Sequence, residues 1–134
     1  MRLLIRLLFL PIALIGSLIG VARGQPSLPT VAMALASHFQ TKGLAVEPRV
    51  VRALSGEPKS AFELRFKDLP LPVLISEYST PVKAENALGR IGDRPSHAYP
   101  RINGNLIMSL PFWDESVDQL PKVLDAFVSF KQGN

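Results

Sequence analysis

Residues 96–112 read SHAYPRINGNLIMSLPF, two β-like runs separated by Asn103-Gly104. Asn-Gly between such runs is a strong hairpin signal, because a type I′ turn needs positive φ at both central residues. A hairpin here makes a sheet, rather than a helical bundle, the organising element of the chain. Two registers compete. A two-residue Asn103-Gly104 turn sets Arg101 opposite Leu106, Tyr99 opposite Met108 and His97 opposite Leu110. A three-residue loop sets Ile102 opposite Leu106 and Pro100 opposite Met108, which sorts apolar from polar side chains more cleanly. Turn chemistry favours the first, and that register brings His97, Tyr99 and Arg101 near one strand face.

Upstream, SEYSTPVKAENAL (76–88) reads as a strand handing over to a helix. The residue before a proline is pushed out of the helical region. Thr80 therefore suits an N-cap, and Pro81 the first helical position, where a missing N–H costs nothing. Ala84, Ala87, Leu88 and Ile91 make the buried stripe, and Gly92 and Pro95 bracket the stop. In GRIGDR (89–94) the glycines read as helix ends rather than as a phosphate-clamping G-x-x-G loop.

Further upstream, AFELRF (61–66) alternates, with Phe62, Leu64 and Phe66 on one side and Glu63 and Arg65 on the other, as in a half-buried strand. VLISEY (73–78) is more apolar and reads as a central strand. LAVEPRVVRAL (44–54) contains Pro48, which cannot donate to a ladder, and so reads as an edge or bulged strand. SGEPKS (55–60) is a turn by composition, and LPLP (69–72) a rigid link between strands. A first helix covers VAMALASHFQTK (31–42), capped by Thr30 and ended by Gly43. Its apolar face is formed by Val31, Leu35 and Phe39, with Ala34 beside them.

Downstream, DESVDQLPKVLDAFVSF (114–130) predicts a closing helix with Asp118 as cap and Pro121 in the first turn. Leu120, Leu124, Phe127 and Val128 form its stripe. The order α-β-β-β-α-β-β-α predicts an α+β domain with one antiparallel sheet and the helices gathered on one face.

The chain has 134 residues, room for one small domain. Residues 1–24 have the layout of a secretory signal peptide: Arg2 and Arg6, an apolar stretch from Leu7 to Ala22, then Ala22-Arg23-Gly24 before Gln25. The alternative is an uncleaved membrane anchor, although the apolar run is shorter than the roughly 20 residues that span a bilayer. Residues 25–134 form the α+β domain in either case. Export predicts a periplasmic or extracellular location, and the chain has no cysteine to form disulfides there. Three of the basic residues lie in the leader, and losing them takes the formal net charge from +4 to about +1. So balanced a body gives no electrostatic case for nucleic acid.

Catalytic constellations are sparse. There is no cysteine nucleophile, no G-x-S-x-G elbow, and only His38 and His97 can serve as imidazole bases. His38 reads as a boundary residue of the first helix. Two distant histidines do not make a metal site. Asp114, Glu115 and Asp118 read as carboxylates at a helix N-terminus, without the alternating ligands and turn glycine of a calcium loop. No cofactor is implied. The sequence favours a non-catalytic binding or accessory module, with a protein, ligand or envelope component as partner. Candidate interaction residues are His97, Tyr99 and Arg101 on the hairpin and the aromatic pair Phe112-Trp113 after it. The rival readings are an anchored accessory subunit and a small enzyme using His97 as base with Tyr99 and Arg101.

Overall fold

The computed structural model describes residues 27–51, 58–70, 72–92, 98–110 and 118–133. The elements are α1 (Thr30–Thr41), β1 (Val46–Val50), β2 (Ser60–Phe66), β3 (Val73–Glu77), α2 (Pro81–Gly92), β4 (Ala98–Asn103), β5 (Leu106–Leu110) and α3 (Leu120–Ser129). This is the α+β order that the sequence predicts. The strands form one antiparallel sheet of order β1-β2-β3-β5-β4, with β3 at its centre and β1 at an edge. Of the turn predicted at 55–60, residues 55–57 lie outside the described residues, 58 and 59 belong to no helix or strand, and Ser60 already opens β2.

β3 and β4 both run antiparallel to β5, which lies between them. They are therefore parallel to each other, and α2 is the crossover between them. That path corrects the expectation that all helices share one face. Phe62, Leu64, Phe66, Val73, Ile75, Leu106, Met108 and Leu110 pack with Leu35 and Phe39 of α1 and with Leu120, Val123 and Phe127 of α3. Ile107 packs instead with Tyr78, Ala84 and Ala87, and Ile102, Leu88 and Ile91 join them. Successive residues of a strand point to opposite faces. Hence α1 and α3 cover one face and α2 the other. All five residues of β5 are buried, as a strand covered on both sides requires.

Each helix is apolar where it meets the sheet, with four local corrections. In α1 the buried residues are Ala32, Leu35, Ala36 and Phe39, Val31 is half-buried, and Ala34 is exposed. Thr30 lies inside the helix, and Pro29 occupies the cap position without a side-chain bond. In α3 the cap position belongs to Gln119 rather than Asp118, and Val128 is 58% exposed while Val123 and Ala126 are buried. Pro121 does stay within the first turn. Gly43 has φ +79, the left-handed stop expected after α1. At α2 the predicted cap is present: the Lys83 N–H donates to Thr80 Oγ1 at 3.2 Å, and the Ala84 N–H to the Thr80 carbonyl at 3.2 Å.

The hairpin differs from both registers read from the sequence. Asn103 pairs with Leu106, Ile102 with Ile107 and Arg101 with Met108, so the two-residue loop is Gly104-Asn105. Gly104, at the first loop position, has φ +57. A bulge between Ala98 and Arg101 then shifts the register to Ala98 opposite Leu110. That last pairing is the one a three-residue loop would extend to. The observed register places Ile102 and Ile107 side by side under α2, and both rejected registers lose that apolar pair.

Candidate functional site

The observed register sends Asn103 to the face covered by α3. Its Nδ2 donates to the carbonyls of Phe127 at 2.8 Å and Phe130 at 2.7 Å, and lies 3.5 Å from that of Val128. The last carbonyls of a helix have no partner within it, and here a side chain from the sheet supplies one. The Gln132 amide closes the lock by donating to the Asn103 carbonyl at 3.0 Å. On the opposite flank, Asn105 Nδ2 donates to the Tyr78 carbonyl at 2.7 Å, while the Tyr78 N–H donates to the Asn105 carbonyl at 2.8 Å. These two carboxamides fasten the hairpin tip to α3 and to the end of β3. The sequence shows Asn103 only as a turn residue, because nothing local records a long-range carbonyl contact.

The same end of α3 meets the one described histidine. His38 Nε2 lies 2.8 Å from the Ala126 carbonyl and 3.2 Å from Ser129 Oγ. A serine beside an imidazole invites comparison with a nucleophile and its base. The bonding argues otherwise. A carbonyl oxygen can only accept, so Nε2 carries the proton. Ser129 Oγ donates to the same carbonyl at 3.0 Å. With both protons directed at Ala126, neither group can deprotonate the other. The ring also meets Phe130 edge-on, with centroids 5.4 Å apart. His38 is a boundary residue, as the sequence predicts, and its task is to tie α1 to the end of α3.

A shallow cleft of about 500 Å³ opens beside this contact, between the end of α1 and the outer side of α3. Lys42 and Lys122 line it together with Asp118 and Asp125. Two cations interleaved with two anions leave no net field to select a charged ligand. Among the described residues, no group of three or more His, Asp or Glu side chains could hold a metal ion.

The sheet face shared with α2 is exposed toward β1 and β2. Glu47 pairs with Arg65 and Arg49 with Glu63, so the charges alternate along and across the strands. Arg49 lies 3.6 Å from Glu47, and Arg65 lies 3.8 Å from Glu63. With Glu47 69% and Arg49 50% exposed, these are solvated pairs of small energetic weight.

Of the five candidate interaction residues, Arg101 is described in full. It is half-buried, faces Met108, and its Nη1 donates to the Pro100 carbonyl at 3.2 Å. Tyr99 lies on β4 within the bulge. His97, Phe112 and Trp113 fall outside the described residues, as do Asp114 and Glu115. Ala98 and Leu110 are partners, so the chain enters β4 and leaves β5 at the same end of the sheet.

Both edge strands carry a proline. In β1 the Lys67 N–H donates to the Ala45 carbonyl, which makes Ala45, Glu47 and Arg49 the residues bonded to β2. Pro48 therefore stands at a position directed to the open edge, where an added strand would seek its N–H. Pro100 sits in β4, the other edge. This blunts both borders against strand addition.

No family model, curated protein or solved structure matches the chain. Among the described residues, no helix is long and apolar enough to cross a membrane.

Proposed function

We propose that the chain is an exported, non-catalytic binding module. Its contact surface lies at the end of the sheet where β4 begins and β5 ends, with His97, Tyr99, Arg101, Phe112 and Trp113 supplying the contacts. The observation that supports this reading most is the pairing of Ala98 with Leu110. Beyond that pair the chain continues to His97 on one side and to Phe112-Trp113 on the other. Aromatic and arginine side chains are the usual energetic anchors of interfaces. The prolines at both edges weigh against a contact made by strand addition along β1. The His38–Ser129 pair is committed to holding α3, which weighs against a hydrolytic role for those two residues. The layout of residues 1–24 supports export.

Trp113 is the only tryptophan, so its fluorescence reports on this surface without labelling. The exported protein is titrated with fractionated envelope extract, and retained material is isolated on the wild type and on the F112A/W113A double variant. A partner held by the wild type and lost by the variant, with a shift in tryptophan emission, is the expected result. Equal retention by both proteins would sink the assignment of the surface. The mass of the protein recovered from the periplasm or medium tests export, because cleavage leaves Gln25 first. An intact chain confined to the membrane fraction would support the anchored subunit instead.

A further inference from the structure

Asn103 precedes Gly104, the pairing most prone to spontaneous deamidation, and its leaving nitrogen is the atom held by the end of α3. We propose that Asn103 is a deamidation site gated by folding: the native lock protects it, and its conversion prevents that lock from re-forming. The Gly104 backbone nitrogen, losing its proton, attacks Asn103 Cγ. A C–N bond forms, the Cγ–Nδ2 bond breaks, and ammonia leaves. Water then opens the cyclic imide to aspartate or isoaspartate. No oxidant or further reactant is needed.

Two features hold the native site away from this course. Nδ2 is bound to the Phe127 and Phe130 carbonyls, which keeps Cγ with α3 rather than swung back over Gly104. Gln132 covers the loop from the other side: its Nε2 donates to the Asn103 carbonyl and lies 3.1 Å from where a Cβ on Gly104 would sit. Ring closure therefore requires the end of α3 to open first. The native rate is then the unfolded rate multiplied by the population of that opening.

The product cannot return to the lock. A carboxylate at position 103 has no N–H, and it would face carbonyl oxygens where Nδ2 lay 2.7 and 2.8 Å away. Isoaspartate also adds a backbone atom at the end of β4. The molecule thus keeps a chemical record of time spent open.

The test incubates the full exported chain at mildly alkaline pH, native and in denaturant, and follows the tryptic peptide that begins at Ile102 by fragment-ion mass, which separates Asn103 from Asn105 within it. Asn86 and Asn105, neither followed by glycine, are internal controls. The native chain should deamidate at Asn103 at least about tenfold more slowly than the denatured one, the factor expected when a local opening must precede reaction. F130A, which loosens the end of α3, should accelerate the native reaction at Asn103. N103D should melt below the parent and N103Q between them. Equal rates at Asn103 in native and denatured chains would overturn the proposal. So would a native rate unchanged by F130A, or an N103D variant that melts like the parent.

Discussion

Thr80 and Ala84 show how differently two residues of one short segment can contribute. Thr80 is exposed, and its Oγ1 accepts one first-turn N–H at 3.2 Å. Thr80→Ala should lower stability by about 0.5–1 kcal/mol, near the lower end for capping residues, and Thr80→Gly by a few tenths on the capping contribution. Pro81→Ala should be mild, since Pro81 gives up no helical hydrogen bond at the first position. Ala84 has no exposed surface and packs with Tyr78 and Ile107. Ala84→Asp should therefore cost about 3–5 kcal/mol, because an unpaired carboxylate would enter that cluster. Leu88 is half-buried, and Leu88→Asp should fall between the extremes. Urea titrations of these variants check the ranking, and parent-like midpoints for both Ala84→Asp and Leu88→Asp would contradict the packing. This joint is legible in the sequence because a cap, a proline and a stripe are local signals. The bonds of Asn103 and His38 are not, since the carbonyls they meet belong to α3, 24 or more residues away in sequence.

Glycines and prolines separate the elements by whether their special geometry is used. Gly43 and Gly104 hold φ of +79 and +57, where a side chain is strained, and a Cβ on Gly104 would also crowd Gln132. Gly43→Ala and Gly104→Ala should each destabilise by about 1 kcal/mol or more, with Gly104→Ala the worse. Gly89 lies within α2, and a Cβ added there would meet nothing within 4 Å. Gly89→Ala should therefore stabilise by roughly 0.5–1 kcal/mol. Thermal melts should move upward for Gly89→Ala and downward for the other two. Pro48→Val tests the edge: it returns an N–H to the open side of β1 and should promote association, seen by light scattering at rising concentration. A variant as monodisperse as the parent would show that Pro48 does not guard that edge. Element types are readable throughout because periods of 2 and 3.6 are explicit in the residues. The hairpin register is not, because Asn-Gly chemistry favours one loop and the Ile102–Ile107 pair under α2 secures another.

At the scale of the whole molecule, the two faces of the sheet are covered unequally. The α1/α3 side contains the large buried side chains Phe39, Phe62 and Phe127 with Leu35, Leu64 and Ile75 around them. The α2 side contributes two buried alanines against Ile107 and Tyr78, with Leu88 and Ile91 only partly covered. The stripe of α2 is plain in the sequence, but small residues in a stripe do not state which face they cover. The unalternating apolar run LIMSL of β5 holds that information, since a strand buried on both sides needs a layer on each. Buried apolar area sets how much each layer stabilises, at about 25 cal/mol per Å². The α2 layer should accordingly be the first to open. Its place in the chain does not compensate, because α2 is a crossover whose neighbours β3 and β4 are already held by β5. Native-state hydrogen exchange should place the amides of α2 well below those of β3, β5 and the middle of α3 in opening free energy, with the α2 group responding weakly to denaturant. Ala87→Gly should lower protection in α2 while leaving the β3 and β5 amides close to the parent. Phe127→Ala should lower every group together, by about 3–5 kcal/mol for the globally exchanging amides. If α2 instead exchanged only with global unfolding, its thin contact with Ile107 and Tyr78 would have to be as cohesive as the phenylalanine-rich layer, and the two-layer account of stability would fail.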